Sequence, residues 1–356
     1  MKKITISGYY GFDNVGDEVI LESLLQVLYN IASLKKQSIQ VTVLSANPQK
    51  TEGSKKVNAV KRTNMFGILQ AIYKCNFFIS GGGGLLQDKT GRGLSVLYYT
   101  MLIFFAFLMR KPTVLYAHSI GPVDRKINRL LIKFVLNKAS FITVRDSASK
   151  EKLISWGVNK TSIYKTADSV FFLKKYVNSK NRKPQPPLVG ISIKKTLHKK
   201  ELEKEIVSTA NYLTKELGAR IIFIPMHPEK DLQLSEEFSK KIPGSSVAKE
   251  SFDYERIFKL YSQLDFLIGM RLHSLIFATL TETPFVGIVC EHEPKTHSYL
   301  KEIDIKPVNF LKESLLPKCK VLINNNTDTK EKLYRASWDF HREIIECSNN
   351  VFGELL

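Results

Sequence analysis

Arg271 and His273 lie in Gly269-Met270-Arg271-Leu272-His273-Ser274-Leu275-Ile276-Phe277. Ahead of them, Leu264 to Ile268 is a short apolar run closed by Gly269, which predicts a buried strand. Behind them, Leu272, Leu275, Ile276 and Leu280 recur near helical spacing until Pro284. A guanidinium and an imidazole are thus expected where a strand turns into a helix. Unpaired backbone N–H groups and the positive end of the helix dipole favour an anion there. The residue types suit a carboxylate or a phosphate. A surface arginine and a hydrogen-bonded histidine on an ordinary helix fit the same letters, and the segment alone leaves both readings open.

Other polar groups stand at similar turns. Between a strand over Lys3 to Ser7 and a helix over Glu18 to Tyr29 lies Gly8-Tyr9-Tyr10-Gly11-Phe12-Asp13-Asn14-Val15-Gly16-Asp17. Such strand-to-helix loops are the commonest ligand sites of α/β domains. This one lacks the dinucleotide fingerprint, and no G-x-x-x-x-G-K-[ST] occurs. Gly11, Asn14 and Asp17 can hold a polar ligand such as a sugar, or Asp17 can simply cap the helix. Strand Asn76 to Ser80 runs into Gly81 to Gly84 and then Leu85-Leu86-Gln87-Asp88; four glycines in a row point to close backbone approach. Thr113 to Ala117 ends in His118-Ser119-Ile120-Gly121-Pro122, and Phe141 to Val144 ends in Arg145. His292 and His297 share a stretch with Glu291 and Glu293, but their spacing fits no recurrent metal set, so no metal is expected. No G-x-S-x-G elbow and no cysteine with a nearby histidine appears, which argues against hydrolase and dehydrogenase chemistry.

These turns need strands and helices in alternation. The first half provides it through Ala167 to Phe171; Lys174 to Pro187, polar, basic and proline-rich, reads as a linker. A second series follows: strand Leu188 to Ile193, helix Lys200 to Leu217, strand Arg220 to Pro225, the Arg271 segment, and strand Phe285 to Val289. The expectation is α/β, with one domain over residues 1–178 and another over 187–327. A C-terminal helix, 328–356, is expected to pack back on the first domain.

The 356 residues include 53 Lys and Arg against 34 Asp and Glu, a formal +19, so phosphorylated substrates, anionic membranes or polyanions are favoured partners. No nucleic-acid-binding motif accompanies the charge, and nucleic acid is not expected. The helix through Arg125, Lys126, Arg129, Lys133 and Lys138 is basic on one face and apolar on the other. That suits core packing or, alternatively, a membrane surface. Val96 to Met109 is too short to span a bilayer, which takes ~20 residues. The N-terminus lacks a signal peptide's apolar segment. Cys75, Cys290, Cys319 and Cys347 are scattered and read as reduced, so a cytoplasmic protein is expected, peripheral at the inner membrane face if it meets lipid.

Taken together, the motifs resemble those of polysaccharide pyruvyl transferases, the bacterial cell-wall type in particular. They are the Gly8 to Glu18 loop, Ser80-Gly81-Gly82-Gly83 with Leu85-Leu86-Gln87-Asp88, Ile120-Gly121-Pro122, Val144-Arg145-Asp146, Ala167-Asp168, Gly269 to His273 and Pro284 to Lys295. The sequence departs from the family's pattern at His118 and at Lys194-Lys195. The resemblance implies two Rossmann-like domains facing a cleft, a glycosyltransferase-B-like architecture. It implies transfer of the pyruvyl group of phosphoenolpyruvate onto two sugar hydroxyls, forming a pyruvate ketal and releasing phosphate, with no further cofactor. Arg145, Arg271, Leu272, His273 and Lys295 are the implied donor site, with His273 able to give or take a proton. Gly11, Asn14, Asp17, Gly82, Gly83, Asp88 and His118 are then the expected acceptor side. The implied acceptor is a saccharide, often lipid-diphosphate-linked. Two rivals are kept: a glycosyltransferase using a nucleotide sugar, and a non-catalytic polyanion-binding protein.

Overall fold

The computed structural model describes residues 1–89, 94–176, 186–249, 253–290, 293–324 and 326–356. The chain divides into two compact units: residues 1–12, 17–172 and 340–356 form the first, residues 13–16 and 173–339 the second.

The first unit holds a parallel sheet of seven strands: β1 (Lys2–Tyr10), β2 (Ile39–Ser45), β3 (Asn58–Lys61), β4 (Phe77–Ser80), β5 (Thr113–His118), β6 (Phe141–Val144) and β7 (Ile163–Lys165). Their order is β3-β2-β1-β4-β5-β6-β7. Parallel strands are covered on both faces, so the central ones read as unbroken apolar runs; β4 and β5 are buried at every position. Connecting helices are α1 (Val15–Leu34), α2 (Pro48–Ser54), α3 (Met65–Lys74), α4 (Leu94–Leu108), α5 (Lys126–Leu136) and α6 (Ser147–Ser155). Side chains of α3 to α6 share one core: Ile68, Tyr99, Leu102, Ile132 and Leu153 are all within it.

The second unit repeats the plan with six strands: β8 (Leu188–Ser192), β9 (Arg220–Phe223), β10 (Ser246–Val247), β11 (Phe266–Gly269), β12 (Phe285–Val289) and β13 (Val308–Asn309). Their order is β10-β9-β8-β11-β12-β13. Around them lie α7 (Lys199–Leu217), α8 (Pro228–Ser239), α9 (Tyr254–Gln263), α10 (Leu272–Leu280), α11 (Pro294–Glu302) and α12 (Leu316–Asn324). The strand order reverses beside β8, so the ends of β8, β11 and β12 border the usual ligand position of such sheets.

The last helix, α13 (Thr327–Leu355), is in the second unit up to Asp339 and in the first from Phe340. Within the first unit, the Ser348 and Tyr116 hydroxyls are 2.7 Å apart, and His341 Nδ1 donates to Phe171 O at 2.8 Å. Lys174, expected at the head of a linker, is instead buried in the second unit. Its ammonium donates to Leu280 O at 3.0 Å and pairs with Glu282 at 2.5 Å. Residues 177–185 of the expected linker lie outside the described residues.

Candidate functional site

In the second unit, β11 delivers the chain to Arg271, which occupies the N-cap position of α10 with extended backbone. The Arg271 side chain makes no capping hydrogen bond, and the positive end of the α10 dipole favours an anion there. The Arg271 guanidinium is held by a residue that sequence reasoning missed. Asp231, fully buried in the first turn of α8, accepts Arg271 Nε on Oδ2 at 2.9 Å and Nη2 on Oδ1. Oδ2 also accepts the backbone N–H of His227 at 3.0 Å. The side chain of Arg271 remains 27 % exposed. It is clamped in plane and still partly open to solvent.

His227 was missed as well. It is 2 % exposed, and neither ring nitrogen has a hydrogen-bond partner among the described residues. Burial lowers its pKa, with the charges of Lys230 and Arg271 acting in the same direction against Asp231 and Glu229. The available signal was its place just beyond β9, four residues ahead of Asp231.

His273 is the second residue of α10, half-buried, its ring 6.2 Å from that of Phe277. Residues 13–16 lie beside it. Val15 N–H donates to Met226 O at 2.9 Å, and Asn14 Oδ1 accepts from Gly16 N–H at 3.2 Å. A Cβ on Gly16 would stand 2.1 Å from His273 Nδ1 and 2.9 Å from its Cβ, so only glycine lets this turn close on the ring. Lys295, half-buried in the first turn of α11, follows β12, the neighbour of β11. On the other side of β11, Lys194 follows β8 and pairs with Glu293 at 2.8 Å. Lys194 and Arg271 thus follow the adjacent strands β8 and β11, and Lys295 is in the helix that comes after β12. Glu291 and His292 lie outside the described residues.

In the first unit, the strand ends hold the other predicted residues. Gly11 N–H donates to Glu18 Oε1 at 2.7 Å. Asp17 is in the first turn of α1, and its Oδ1 lies 2.9 Å from where a Cβ of Gly83 would be. Gly83 has φ +91°, a region unfavourable to other residues, so the glycine run brings bare backbone against this carboxylate. Gly82 packs against Ile20. Gly83 O accepts from Ser119 N–H at 2.9 Å. His118 is fully buried, with Nε2 3.0 Å from Ser80 O. Arg145 is also buried and forms an ion pair with Asp168.

Asp88 has a structural employment. Its carboxylate accepts from the backbone of Asp124 and Arg125 at 2.9 Å and from Asn128 Nδ2 at 3.0 Å, which fixes the start of α5. Burial raises its pKa, but these hydrogen bonds outweigh that and leave it below the usual value. A further feature escaped the sequence reading. Tyr9 and Phe12 stack at 4.1 Å, and the Arg62 guanidinium lies 5.0 Å from Phe12 and 4.6 Å from Tyr98. Tyr9 is the next-to-last residue of β1, Phe12 follows that strand and Arg62 follows β3, so this aromatic platform forms at their ends.

A family model described as "Polysaccharide pyruvyl transferase" matches residues 14–292. The amylovoran biosynthesis protein AmsJ of Erwinia amylovora is 19% identical over 262 residues, 65% of this chain and 62% of AmsJ. The chain thus spans a little under two thirds of that relative's length. Among solved structures, the S. aureus MnaA–UDP co-structure superposes with TM-score 0.67 at 14% identity, covering 100% of this chain and 98% of that one. The UDP-GlcNAc 2-epimerase of Neisseria meningitidis bound to UDP-GlcNAc gives 0.64 at 12%, covering 100% and 99%. HepE of Anabaena in complex with UDP and glucose gives 0.59 at 12%, covering 99% of each chain. At such identities the likeness shows the fold alone: two parallel-sheet Rossmann-like units of the glycosyltransferase-B-like kind.

Proposed function

The chain belongs to the polysaccharide pyruvyl transferase family, and from that premise we propose that it moves the pyruvyl group of phosphoenolpyruvate onto two hydroxyls of a saccharide. Pyruvyl transfer in polysaccharide biosynthesis is the family's activity; the donor, the acceptor and the residues below are our reading. The observation that carries it is the Asp231-clamped Arg271 at the start of α10, two residues ahead of His273. A planar guanidinium that is still partly exposed suits the donor's carboxylate or phosphate, and Lys295, in the helix after the neighbouring strand, is assigned a second positive charge.

In the reaction, a proton adds to the donor's methylene carbon while one sugar hydroxyl, losing its proton, bonds to the carbon bearing the phosphate. The bond from that carbon to the phosphate oxygen then breaks, and phosphate leaves with the electron pair. The second hydroxyl bonds to the same carbon and loses its proton, closing the ketal. His273 is assigned the proton to the methylene carbon. For the acceptor we assign the loop with Gly11 and Asp17, the Gly82-Gly83 backbone, and the Tyr9–Phe12 platform, since stacked aromatic rings suit the apolar face of a sugar. His118, buried against Ser80, and Asp88, which holds the backbone just ahead of α5, are assigned a supporting role for these loops. A lipid-diphosphate-linked saccharide is the acceptor class proposed, with the enzyme at the inner membrane face. Among the described residues no helix is long and apolar enough to cross a membrane.

The test incubates the protein with phosphoenolpyruvate and a panel of lipid-linked and free saccharides. Release of phosphate with a gain of one pyruvyl group in the saccharide is expected. Turnover with a nucleotide sugar and none with phosphoenolpyruvate would favour glycosyl transfer instead; structural neighbours with UDP or UDP-GlcNAc bound make a nucleotide sugar worth including.

A further inference from the structure

The sequence points to a membrane through the charge of one helix. The structure shows something different in kind: three helices of the first unit share an outer surface that is apolar and basic together. α3, α4 and α5 turn their inner sides into one core, and they lie side by side. The rings of Phe104 on α4 and Phe134 on α5 are 6.0 Å apart. The Lys138 ammonium lies 4.6 Å from the Phe107 ring, and that of Lys111 lies 5.7 Å from the Tyr73 ring of α3.

Their outer sides are unusual. Eighteen large hydrophobic side chains are exposed among the described residues, and ten of them fall between Met65 and Phe134, so this is a cluster and not the ordinary scatter. Phe66 is 78 % exposed, Leu94 65 %, and Ile127 and Leu130 59 % each. None of the three helices contains Asp or Glu. Lys74, Arg110, Lys126, Lys133 and Lys138 are exposed on or beside them and form no ion pair with a described residue, while Arg125 stands beside the Asp88 carboxylate.

We infer that this face is a docking surface for a bilayer containing anionic lipid, with the leucines, isoleucine and phenylalanines entering the headgroup boundary and the lysines and arginines meeting the lipid phosphates. A basic rim around exposed aliphatic and aromatic side chains is the composition of helices that lie in a membrane interface. Charge decides against a second copy of the chain, because two such faces would bring uncompensated positive charges together. Exposed aliphatic side chains decide against a nucleic acid, whose phosphates would satisfy the lysines and leave Leu94, Leu97 and Ile127 in water. The inference rests on and deepens the membrane location proposed above, but it uses no residue assigned to donor or acceptor, so its failure would leave the proposed pyruvyl transfer standing.

The experiment is vesicle flotation of the full chain without substrates. One set of vesicles is phosphatidylcholine alone; the other contains about a third phosphatidylglycerol, a fraction chosen to give a clear negative surface potential. Wild type is expected to float with the anionic set, more weakly at high salt but not at the level of the neutral set. Leu97→Glu with Leu130→Glu should lower binding by ~10-fold or more at every salt concentration, since each leucine forfeits its burial. Lys126→Glu with Lys133→Glu should remove the salt-sensitive part. An unfolding curve checks each variant, and Phe66→Ser with Ile127→Ser serves as a second apolar pair if the first is destabilised. Flotation equal on both vesicle sets, or unaffected by both apolar pairs, overturns the inference. A concentration-dependent dimer in sedimentation that the apolar pairs abolish, with no flotation, would assign the face to a second copy.

Discussion

Asp231 binds the guanidinium of Arg271 through both carboxylate oxygens, and one of those oxygens also accepts the backbone N–H of His227. One fully buried carboxylate thus ties the turn after β9 to the turn after β11. Arg271 is held in a fixed plane before any ligand arrives, which lowers the cost of ordering it on binding.

Asp231→Asn should therefore act on the donor. The amide keeps the size and loses the charge and one acceptor, so the Arg271 fork is expected to drift. The apparent donor KM should rise ~10-fold or more with a smaller change in kcat. Stability should fall by less than the ~3–5 kcal/mol of a fully buried broken pair, because the Arg271 side chain is 27 % exposed. Steady-state kinetics with a denaturant curve separates the two effects. An unchanged KM would make Asp231 a purely structural anchor.

Gly16→Ala sets two magnitudes against each other. Alanine within a helix gains about 1 kcal/mol over glycine, and Gly16 is the second residue of α1. Against this, the new Cβ meets the His273 ring at 2.1 Å and its Cβ at 2.9 Å, and the root of a side chain cannot swing away. Displacement of the ring should win, and misplacement of a reacting group by ~1 Å costs ~10²-fold in rate. The expected result is a large loss of kcat in a protein that still unfolds cooperatively. Wild-type kcat would show that the ring gives way harmlessly.

Stability should depend on pH through His227. Its folded-state pKa is depressed, chiefly by burial, so the folded protein resists a proton that the unfolded chain takes up. Above the unfolded value of about 6.5 both states are neutral and nothing is lost; as pH falls below it, the unfolded state binds the proton and stability declines. His227→Gln should flatten that decline. Equal slopes in wild type and variant, from denaturant midpoints between pH 7 and 5, would mean that other groups cause it.

What the sequence disclosed follows from how each element is stabilised. β4, β5 and β12 are buried along their whole length, so their apolar runs stand out, and the reading placed Arg271 and His273 at a strand-to-helix turn. β3, Asn58–Lys61, has no fully buried residue, and the buried face of α8 is half polar (Asp231, Leu234, Ser235, Phe238), so neither shows a clear apolar pattern. The partner of Arg271 was hidden for the same reason. Asp231 sits on that polar helix forty residues away, and only the sheet order, β9 beside β8 and β8 beside β11, brings the two together. Lys174 reads as linker by composition, yet Leu280 O and Glu282 satisfy its charge in the interior.

The last prediction separates charge from proton transfer at the start of α10. Arg271→Lys keeps the positive charge but loses the planar fork that meets both Asp231 oxygens and the ligand. Its main effect should be a higher donor KM. His273→Gln keeps a polar side chain of similar reach in the first turn but cannot titrate. If His273 delivers the proton to the methylene carbon, kcat should fall by ~10² or more, and the pH–rate profile should lose the limb seen in wild type. Some rise in KM is compatible, since an imidazolium near the donor binds charge as well as moving a proton. The two variants should therefore fail differently: Arg271→Lys recovers at saturating donor, and His273→Gln does not. If His273→Gln shows an unchanged kcat with both limbs intact, His273 is a helix residue packed on Gly16 and Phe277. The proton then passes to Lys295 or to Asp17, the next candidates in the second and first units.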